Sequence, residues 1–301
     1  MMKIAVILVN YNGMNDTLEC IDSILDSIYD NLKIKVIVVD NCSQNGDLSK
    51  LDLYGSTVEL IRSKKNLGFS GANNLGIDYA IKNGYDYVLL LNNDTIIDKN
   101  MINELIIKST DNTVTVPLML YYRNKDKIWY GGGDISKWSG NNIHHHMGKK
   151  ISDVRLSDNY CTFATGCCIL LPINIIEKIG KLKDDYFMYC EDTEYSIRMN
   201  INNIHILFVP DAKLWHKVSS STGGEVSSFS IYYCTRNRFD YIVRYEDYFK
   251  PTAFLFTFIS RYIRLIQYII KNDVKWKAFY YGIKDFKCNK MGENSYFSSK
   301  C

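Results

Sequence analysis

Short, uninterrupted apolar runs mark the first hundred residues of the chain. They occupy residues 4–9, 36–39, 58–61 and 87–91. Runs of this length without polar alternation are typical of strands that are buried on both faces of a parallel sheet. The pattern therefore predicts four parallel strands in this part of the chain.

Helical periodicity separates these runs. Between the first and second runs, the apolar residues at helical spacing are Leu18, Ile21, Leu25 and Ile28. Asp16 is the predicted N-cap of that helix. Between the third and fourth runs, residues 72–83 predict a helix that stops at Gly84. The order β-α-β-β-α-β, without hairpin turns, predicts a doubly wound α/β domain with a mostly parallel sheet.

Polar residues follow three of the four predicted strands. They are Asn10, Tyr11 and Asn12 after the first, Asp40 after the second, and Asn92, Asn93 and Asp94 after the fourth. Because parallel α/β sheets bind ligands beyond the carboxyl ends of their strands, we expect these side chains to line one site. The alternative is that Asn and Asp only form the turns. No G-x-G-x-x-G follows the first strand and no P-loop motif occurs, which disfavours dinucleotide and P-loop sites.

The segment 66–74, N-L-G-F-S-G-A-N-N, opens the helix before the fourth strand. Its two glycines permit close backbone approach, and free N–H groups at a helix start favour an anion such as a diphosphate. Asn66, Gly68 and Asn73 are therefore candidate ligand contacts.

Composition narrows the class of protein. The net charge of the 301 residues is +3, which is too close to neutral to indicate a nucleic-acid binder. The nine cysteines include no C-x-x-C pair, which indicates reduced thiols in a cytosol and neither a disulfide framework nor a zinc site. The apolar run at residues 4–9 is too short for a secretory signal. We therefore expect a cytoplasmic protein.

The charge is unevenly distributed along the chain. Residues 250–301 carry +7 and residues 1–249 carry −4. Residues 253–270 are apolar and aromatic, but Arg261 and Arg264 interrupt them near the middle, which disfavours a membrane-spanning helix. A basic amphipathic helix lying on a membrane surface is one interpretation, and packing on the protein or on a second copy is the other. Both stay open at this point.

Three consecutive histidines, 144–146, attract attention as a metal cluster. Adjacent residues in an extended loop point in alternating directions, so three adjacent imidazoles do not readily share one ion. The run lies in the Gly-, Ser- and Asn-rich segment 131–150, which we interpret as a mobile flap near an acceptor.

Taken in order, eight motifs resemble those of the family 2 inverting glycosyltransferases, which have the GT-A fold. The motifs are I-L-V-N-Y-N-G (7–13), V-V-D-N-C-S-Q-N-G (38–46), N-L-G-F-S-G-A-N-N (66–74), L-L-L-N-N-D-T (89–95), T-G-C-C-I-L-L-P (165–172), Y-F-M-Y-C-E-D-T-E (186–194), L-W-H-K-V-S-S-S-T-G-G (214–224) and Y-Y-C-T-R-N-R (232–238). The later motifs look most like the rhamnosyltransferase-like subgroup of surface-polysaccharide biosynthesis. The resemblance covers about residues 3–240. Together with the change of composition after Phe249, it predicts a catalytic domain at 1–249, with a nucleotide-sugar half at about 1–120 and an acceptor half at about 121–249. A helical extension follows at 250–301.

The resemblance also implies the roles of individual residues on the donor side. Tyr11 and Asp40 would hold the nucleoside of a pyrimidine nucleoside diphosphate sugar. The remaining donor contacts would be Asn10, Asn12, Asn66, Gly68, Asn73, Asn92, Asn93 and Arg236. The guanidinium of Arg236 would neutralise the leaving group, as Arg238 also could, although either could equally be a salt-bridge partner. Residues 219–224 could close over the diphosphate.

A divalent cation, Mn²⁺ or Mg²⁺, is expected at the position of the family's D-x-D motif. Asn92 replaces the first Asp there, which leaves Asp94 as the carboxylate ligand. His216 matches the position of a further metal ligand in several relatives, but an isolated His is more often structural.

Glu191 and Asp192 form the second predicted centre. In inverting transfer a base removes the proton of the acceptor hydroxyl, and the resemblance assigns this role to Asp192, with Glu191 orienting the acceptor or Asp192 itself. The alternative is an acidic helix N-terminus.

The implied reaction is sugar transfer from dTDP-rhamnose or a UDP-hexose to a glycan or polyprenyl-diphosphate-linked acceptor. Such acceptors fit a protein on the cytoplasmic face of the cell membrane. A nucleotidyltransferase and a non-catalytic sugar-nucleotide-binding protein are the alternatives. The oligomeric state is not predicted.

Overall fold

All four apolar runs form adjacent parallel strands in the computed structural model, which describes residues 1–29, 31–218 and 227–298. The first strand pairs with the second and the fourth, and the second pairs with the third. Most residues of these four strands are buried. The predicted β-α-β-β-α-β order is confirmed.

Twelve strands are described. They are β1 (Met2–Asn10), β2 (Leu32–Asp40), β3 (Val58–Arg62), β4 (Tyr87–Asn92), β5 (Thr95–Ile97), β6 (Thr113–Tyr121), β7 (Asn124–Tyr130), β8 (Gly133–Ile135), β9 (Asn142–His144), β10 (Asn159–Cys161), β11 (Cys168–Pro172) and β12 (His205–His216). The α-helices in the same part of the chain are α1 (Met14–Leu25), α2 (Gly68–Lys82), α3 (Met101–Lys108), α4 (Ile173–Ile179), α5 (Glu191–Ile201), α6 (Ser228–Arg244), α7 (Pro251–Ile270), α8 (Trp276–Lys287) and α9 (Ser295–Ser298). Two 3₁₀ helices cover Leu48–Thr57 and Ile151–Asp153.

Ten of the strands form one sheet. Its main path has the order β10-β12-β6-β11-β4-β1-β2-β3, while β5 pairs with β12 and β7 pairs with β6. Strand β11 runs antiparallel to β4 and β6, whereas β12 runs parallel to β6. Strands β8 and β9 form a separate two-stranded sheet. The predicted fold class, a mostly parallel doubly wound sheet with flanking helices and a helical C-terminal region, is confirmed.

The helix starts differ from the predictions. Helix α1 has Gly13, not Asp16, as its N-cap, and the Asp16 carboxylate instead pairs with Lys217 Nζ at 2.6 Å. That partner is distant in sequence, so local capping rules could not find it. Helix α2 starts at Gly68, four residues before the predicted start, and its end before Gly84 agrees with the prediction. Ile28 lies beyond the end of α1 and is exposed.

The C-terminal helices divide into two kinds. Helices α8 and α9 pack on α6, and Phe279 and Phe297 join Tyr232 and Tyr233 of α6 in a small apolar core. Helix α7 has only Ala253 and Thr257 fully buried. By length and composition α7 is long and apolar enough to cross a membrane, with a mean hydropathy of 1.3. The domain boundary at residue 249 stays a prediction.

Candidate active site

A cavity of about 500 Å³ opens at the carboxyl ends of β1 and β4, opposite the start of α5. The predicted site residues that line it are Tyr11, Asn66, Gly68, Asn73, Asn92, Asn93, Asp94, Glu191, Asp192 and His216. Strand β1 pairs with β4 so that Val9 lies beside Asn92, which explains why two distant motifs meet at one edge. Residues from both predicted halves of the domain therefore surround one space.

Asn10, Asn12 and Asp40 do not line this cavity but support its wall. Asn10 is fully buried, and its Nδ2 donates to Asp40 Oδ1 at 2.9 Å and to Ser43 Oγ at 3.1 Å. Asn12 has a φ of 56°, and its Oδ1 accepts the backbone N–H of Gln44 at 2.8 Å. The two asparagines thus hold the ends of β1 and β2 together, and the direct donor contacts predicted for them stay predictions.

Asn41 belongs to the site, although sequence reasoning did not select it. Its Oδ1 accepts the backbone N–H of Leu67, and its Nδ2 donates to Asn66 Oδ1, both at 2.8 Å. Asn66 Oδ1 also accepts the backbone N–H of Gly68 at 2.9 Å. These bonds fix the loop in front of α2. The signal was present, because Asn41 follows Asp40 in the second motif.

Gly68 joins the loop before α2 to the segment before α5. Its φ is +71°, and a Cβ there would lie 2.7 Å from the carbonyl carbon of Phe187 and still closer to the carbonyl oxygen. The next residue, Phe69, donates its N–H to that same oxygen at 2.8 Å. Only a residue without a side chain permits this approach.

Asp94 and His216 face each other at one end of the cavity. Strand β5 pairs with the end of β12 and places Thr95 beside His216, which brings the two side chains together. His216 Nε2 lies 3.1 Å from Asp94 Oδ1, and both residues are buried. Asn93 lines the cavity as well, and its Nδ2 donates to Thr17 Oγ1 at 2.9 Å.

The two groups at this end stabilise each other's charged forms. Burial raises the pKa of the Asp94 carboxyl, but the hydrogen bond and charge of His216 outweigh it, so the pKa lies below its usual value. Burial lowers the pKa of His216, but the adjacent Cys167 sulfur and Asp94 carboxylate raise it to about 10. Asp94 is therefore an anion in the protein, as a cation ligand must be.

The residues at Asp94 suit a divalent cation that is held partly by the protein and partly by a bound phosphate-containing substrate. Within residues 1–29, 31–218 and 227–298, no three His, Cys, Asp or Glu side chains stand close enough to bind a metal by themselves. Mg²⁺ and similar ions are commonly held by one or two carboxylates plus substrate phosphates and water. The Asp94 carboxylate beside an open cavity fits that arrangement. His216, which carries a proton at its raised pKa, would have to lose that proton to bind the ion as well.

The two acidic residues at the start of α5 differ in environment. Asp192 Oδ2 accepts the N–H of Gly166 at 3.1 Å, and its Oδ1 accepts the N–H of Thr193 at 2.7 Å. Glu191 is 6% exposed, and its Oε2 has no hydrogen-bond partner among the described residues. Both lie in the first turn of the helix, so the acidic-terminus interpretation describes their place in the fold as well.

Their pKa values follow from these contacts. Burial, and then the neighbouring Asp192 carboxylate, raise the pKa of Glu191 well above its usual value. Burial also raises the pKa of Asp192, but the N–H donors of Gly166 and Thr193 oppose the shift. The pKa of Glu191 is therefore raised further than that of Asp192, so Glu191 is the more readily protonated of the two and Asp192 is the better candidate for a proton acceptor.

An aromatic wall that sequence reasoning missed connects the two centres. Trp129 contacts His216 edge to face at 4.6 Å between ring centroids and contacts His144 at 5.2 Å. His144 lines the cavity, and its electrostatic effect opposes in part the rise that burial causes in the pKa of Asp192. His145 points elsewhere and pairs with Asp134 at 2.9 Å.

Arg236, a predicted donor contact, is buried away from the cavity. The side chain is 1% exposed, lies outside the cavity lining, and donates to the carbonyl oxygen of Gly292 at 2.7 Å and to Tyr232 Oη at 3.2 Å. Arg238 likewise donates to Thr257 Oγ1 at 3.0 Å. These guanidinium groups hold the C-terminal helices on α6, and Arg236 does not reach the cavity in the part of the chain that the structure describes. The segment 219–224, predicted to close over a diphosphate, lies outside the described residues.

The chain is similar to known proteins in sequence and in fold. Residues 5–180 match the sequence profile described as "Glycosyl transferase family 2". The chain is 28% identical over 248 residues to the low-salt glycan biosynthesis hexosyltransferase Agl10 of Haloferax volcanii, covering 78% of this chain and 74% of that protein. It is 23% identical over 188 residues to the dTDP-rhamnosyl transferase RfbF of Shigella flexneri, covering 62% of this chain and 61% of that protein.

Solved structures with a similar fold include two that were determined with a nucleotide or nucleotide sugar and Mn²⁺. GalNAc-T7 with UDP, GalNAc and Mn²⁺ superposes with a TM-score of 0.65 at 16% identity, over 82% of this chain and 50% of that one. The mannosyltransferase PcManGT of Pyrobaculum calidifontis with GDP-Man and Mn²⁺ gives 0.60 at 11% identity, over 95% and 87%. At these identities the likeness concerns the fold alone.

Proposed function

Because the chain belongs to glycosyl transferase family 2, we propose that it is a metal-dependent inverting enzyme that uses a pyrimidine nucleoside diphosphate sugar. The predicted family is confirmed, and the chain is a glycosyltransferase. The donor we propose is dTDP-rhamnose or a UDP-hexose, and the acceptor is a hydroxyl of a glycan or of a polyprenyl-diphosphate-linked sugar in surface-polysaccharide assembly. The observation that carries the proposal is that Asp94, His216 and Asp192 border one cavity.

The donor's nucleoside is proposed to bind at the carboxyl ends of β1 and β2. Tyr11 lines the cavity there, and Asp40, at the end of the neighbouring strand, pairs with Asn10. Asp40 Oδ1 accepts from Asn10 Nδ2, but an ionised carboxylate has about four acceptor positions. It thus retains capacity for the N3–H of a pyrimidine. RfbF is described as a dTDP-rhamnosyl transferase, which supports this class of donor.

The donor's diphosphate is proposed to lie between the start of α2 and Asp94. Asp94, with His216 beside it, would hold Mn²⁺ or Mg²⁺ together with diphosphate oxygens. The ion's contribution when bound is to stabilise the negative charge that develops on the departing diphosphate. Gly68 has no side chain to keep a diphosphate away from its backbone, and Asn66 and Asn73 are polar residues on the same side of the cavity.

In the proposed reaction Asp192 serves as the general base. The acceptor oxygen forms a bond to the anomeric carbon on the face opposite the diphosphate, and the bond from that carbon to the diphosphate oxygen breaks. The electron pair of the broken bond leaves with the nucleoside diphosphate, while the hydroxyl proton passes to the Asp192 carboxylate. Glu191, which retains its own proton, would orient Asp192 or the acceptor.

A thermal-shift panel of UDP-, dTDP- and GDP-sugars, with and without Mn²⁺, tests the donor and the cation. We expect a pyrimidine nucleotide sugar to stabilise the protein, and more strongly with Mn²⁺. The products then discriminate the alternatives: transfer releases a nucleoside diphosphate, a nucleotidyltransferase would release pyrophosphate, and a binding protein would release neither. Stabilisation by GDP-sugars alone would contradict the proposed nucleoside.

A further inference from the structure

Helix α7 is folded with its apolar side facing outwards. Its exposed large apolar side chains are Phe254, Leu255, Phe256, Phe258, Ile259, Ile263, Ile266, Ile269 and Ile270. Ile259, Ile263, Ile266 and Ile270 follow one another at helical spacing, so they form a continuous stripe, which we call the outer face of α7. Ile270 is 78% exposed. Monomeric soluble proteins rarely present a large contiguous apolar surface to water.

The side of α7 that packs on the protein is formed by smaller and more polar residues. Ala253 and Thr257 are its buried residues, and Thr257 Oγ1 accepts a hydrogen bond from Arg238 Nε at 3.0 Å. Near the other end, the ring of Tyr268 lies 5.5 Å from that of Phe279 in α8. The helix is therefore attached to the protein at both ends, while nothing in the described ranges covers its outer face.

Basic residues outnumber acidic ones along and just beyond α7. Residues 250–275 contain five Lys or Arg and one acidic residue, Asp273, which is half-buried. Arg264 and Lys271 are exposed and Lys275 is half-buried just beyond the helix end. Asp285, the acidic residue of α8, is buried and accepts a hydrogen bond from Tyr232 Oη at 2.6 Å, so it does not offset the surface charge.

We propose that the outer face of α7 docks on a lipid bilayer that contains anionic lipid, with the helix lying in the plane of the membrane surface. Two effects hold an amphipathic helix at the surface of an anionic membrane: burial of its apolar side chains and attraction of its basic residues to the lipid headgroups. A second protein copy would bury the apolar stripe as well, but it would bring another set of basic residues against the first. Charge complementarity therefore favours lipid as the occupant.

A helix that spans the bilayer would be surrounded by lipid, whereas one side of α7 is packed against the rest of the protein. Its Thr257 bonds to Arg238, its Thr252 Oγ1 donates to the Trp138 carbonyl at 2.9 Å, and Arg264 would have to enter the hydrocarbon. Docking in the surface keeps these contacts and leaves the charged groups in the headgroup region. This inference does not depend on the proposed transferase chemistry.

Co-sedimentation of the purified full chain with phosphatidylcholine vesicles, with and without phosphatidylglycerol, tests the proposal. The chain should bind the anionic vesicles and much less the neutral ones, and added salt should weaken binding. The variant I259S/I263S/I266S should partition about tenfold or more weakly, since it removes apolar area that enters the interface. K271E/K275E should lose much of the preference for phosphatidylglycerol.

The control variant L53S/I107S/I201S removes three exposed apolar side chains from elsewhere on the protein and should bind as the unchanged chain does. Circular dichroism verifies that each variant is folded. Equal binding of all variants would overturn the proposal, as would a dimer that the Ile-to-Ser variant alone converts to a monomer. Retention in cell membranes after alkaline carbonate extraction would indicate a spanning helix and would overturn it too.

Discussion

Replacing Gly68 with Ala tests whether one close backbone approach holds the two sides of the site together. The new Cβ would lie 2.7 Å from the Phe187 carbonyl carbon, so the segment before α5 would have to move. That movement breaks the hydrogen bond from Phe69 N–H to the Phe187 carbonyl oxygen, now 2.8 Å long. The substitution therefore affects both stability and the placement of Asp192.

Two costs add in Gly68→Ala. A residue with a Cβ in the left-handed region costs about 1–2 kcal/mol. A buried N–H left without its acceptor costs about 1–3 kcal/mol more. Gly84→Ala is the matched control, because Gly84 has a φ of +64° and no heavy atom within 4 Å of the new Cβ. Gly84→Ala should be destabilised only by the left-handed conformation of its backbone.

Urea unfolding of the two variants measures the difference. With a urea dependence of about 1–3 kcal/mol per molar, an extra cost of about 2 kcal/mol lowers the unfolding midpoint of Gly68→Ala by about 1 M below that of Gly84→Ala. Turnover should also fall by about a hundredfold in Gly68→Ala, because a displacement of about 1 Å at a catalytic group has that effect. Equal midpoints for the two variants would refute the reasoning.

Two further substitutions test the charged groups. Asp94→Asn should abolish the extra thermal stabilisation that Mn²⁺ gives to the donor complex. It should also lower turnover by about a hundredfold or more, because a bound cation stabilises the charge of the transition state by several kcal/mol. An unchanged Mn²⁺ response in the thermal-shift assay would exclude Asp94 as a ligand. Glu191→Gln should leave the acid limb of the pH–kcat profile in place, above the ordinary Asp pKa of about 3.9, because Glu191 is already neutral and Asp192 titrates there. The stability of the same variant relative to the unchanged chain should increase as pH rises. Below about pH 4.3, the pKa of Glu191 in the unfolded chain, Glu191 is protonated in both the folded and the unfolded state. Above that pH it ionises in the unfolded state while the folded state resists ionisation, which destabilises the unchanged chain but not the Gln variant. A gain in Tm that is the same at pH 4 as at pH 8 would contradict the raised pKa.

The central strands could be predicted from sequence because burial on both faces leaves a direct trace. Residues 4–9 and 36–39 contain no polar position to break the run, and both lie inside strands β1 and β2. The ends of these strands carry the predicted polar residues to one edge, because parallel neighbours end together. Pattern and topology therefore reinforce each other in this part of the chain.

Contacts between distant segments could not be predicted in the same way. The start of α2 depends on the fit of Gly68 against Phe187, and His144 reaches the cavity through the pairing of β8 with β9. The motif at 232–238 and the charge of Arg236 predict a diphosphate contact, but its partners are the Gly292 carbonyl and Tyr232. A motif identifies a residue type, whereas its exposure depends on what the rest of the chain packs against it.

The most direct test of the account compares donor binding with sugar transfer in Asp192→Asn. The substitution keeps the shape of the side chain and removes the base, so the donor Kd should change little while the rate of transfer falls by about 10²–10⁴-fold. Asp134→Asn, at a carboxylate that pairs with His145 and does not line the cavity, is the control and should transfer normally. Transfer by Asp192→Asn at a rate comparable to that of the unchanged enzyme would contradict the assignment of Asp192 as the base.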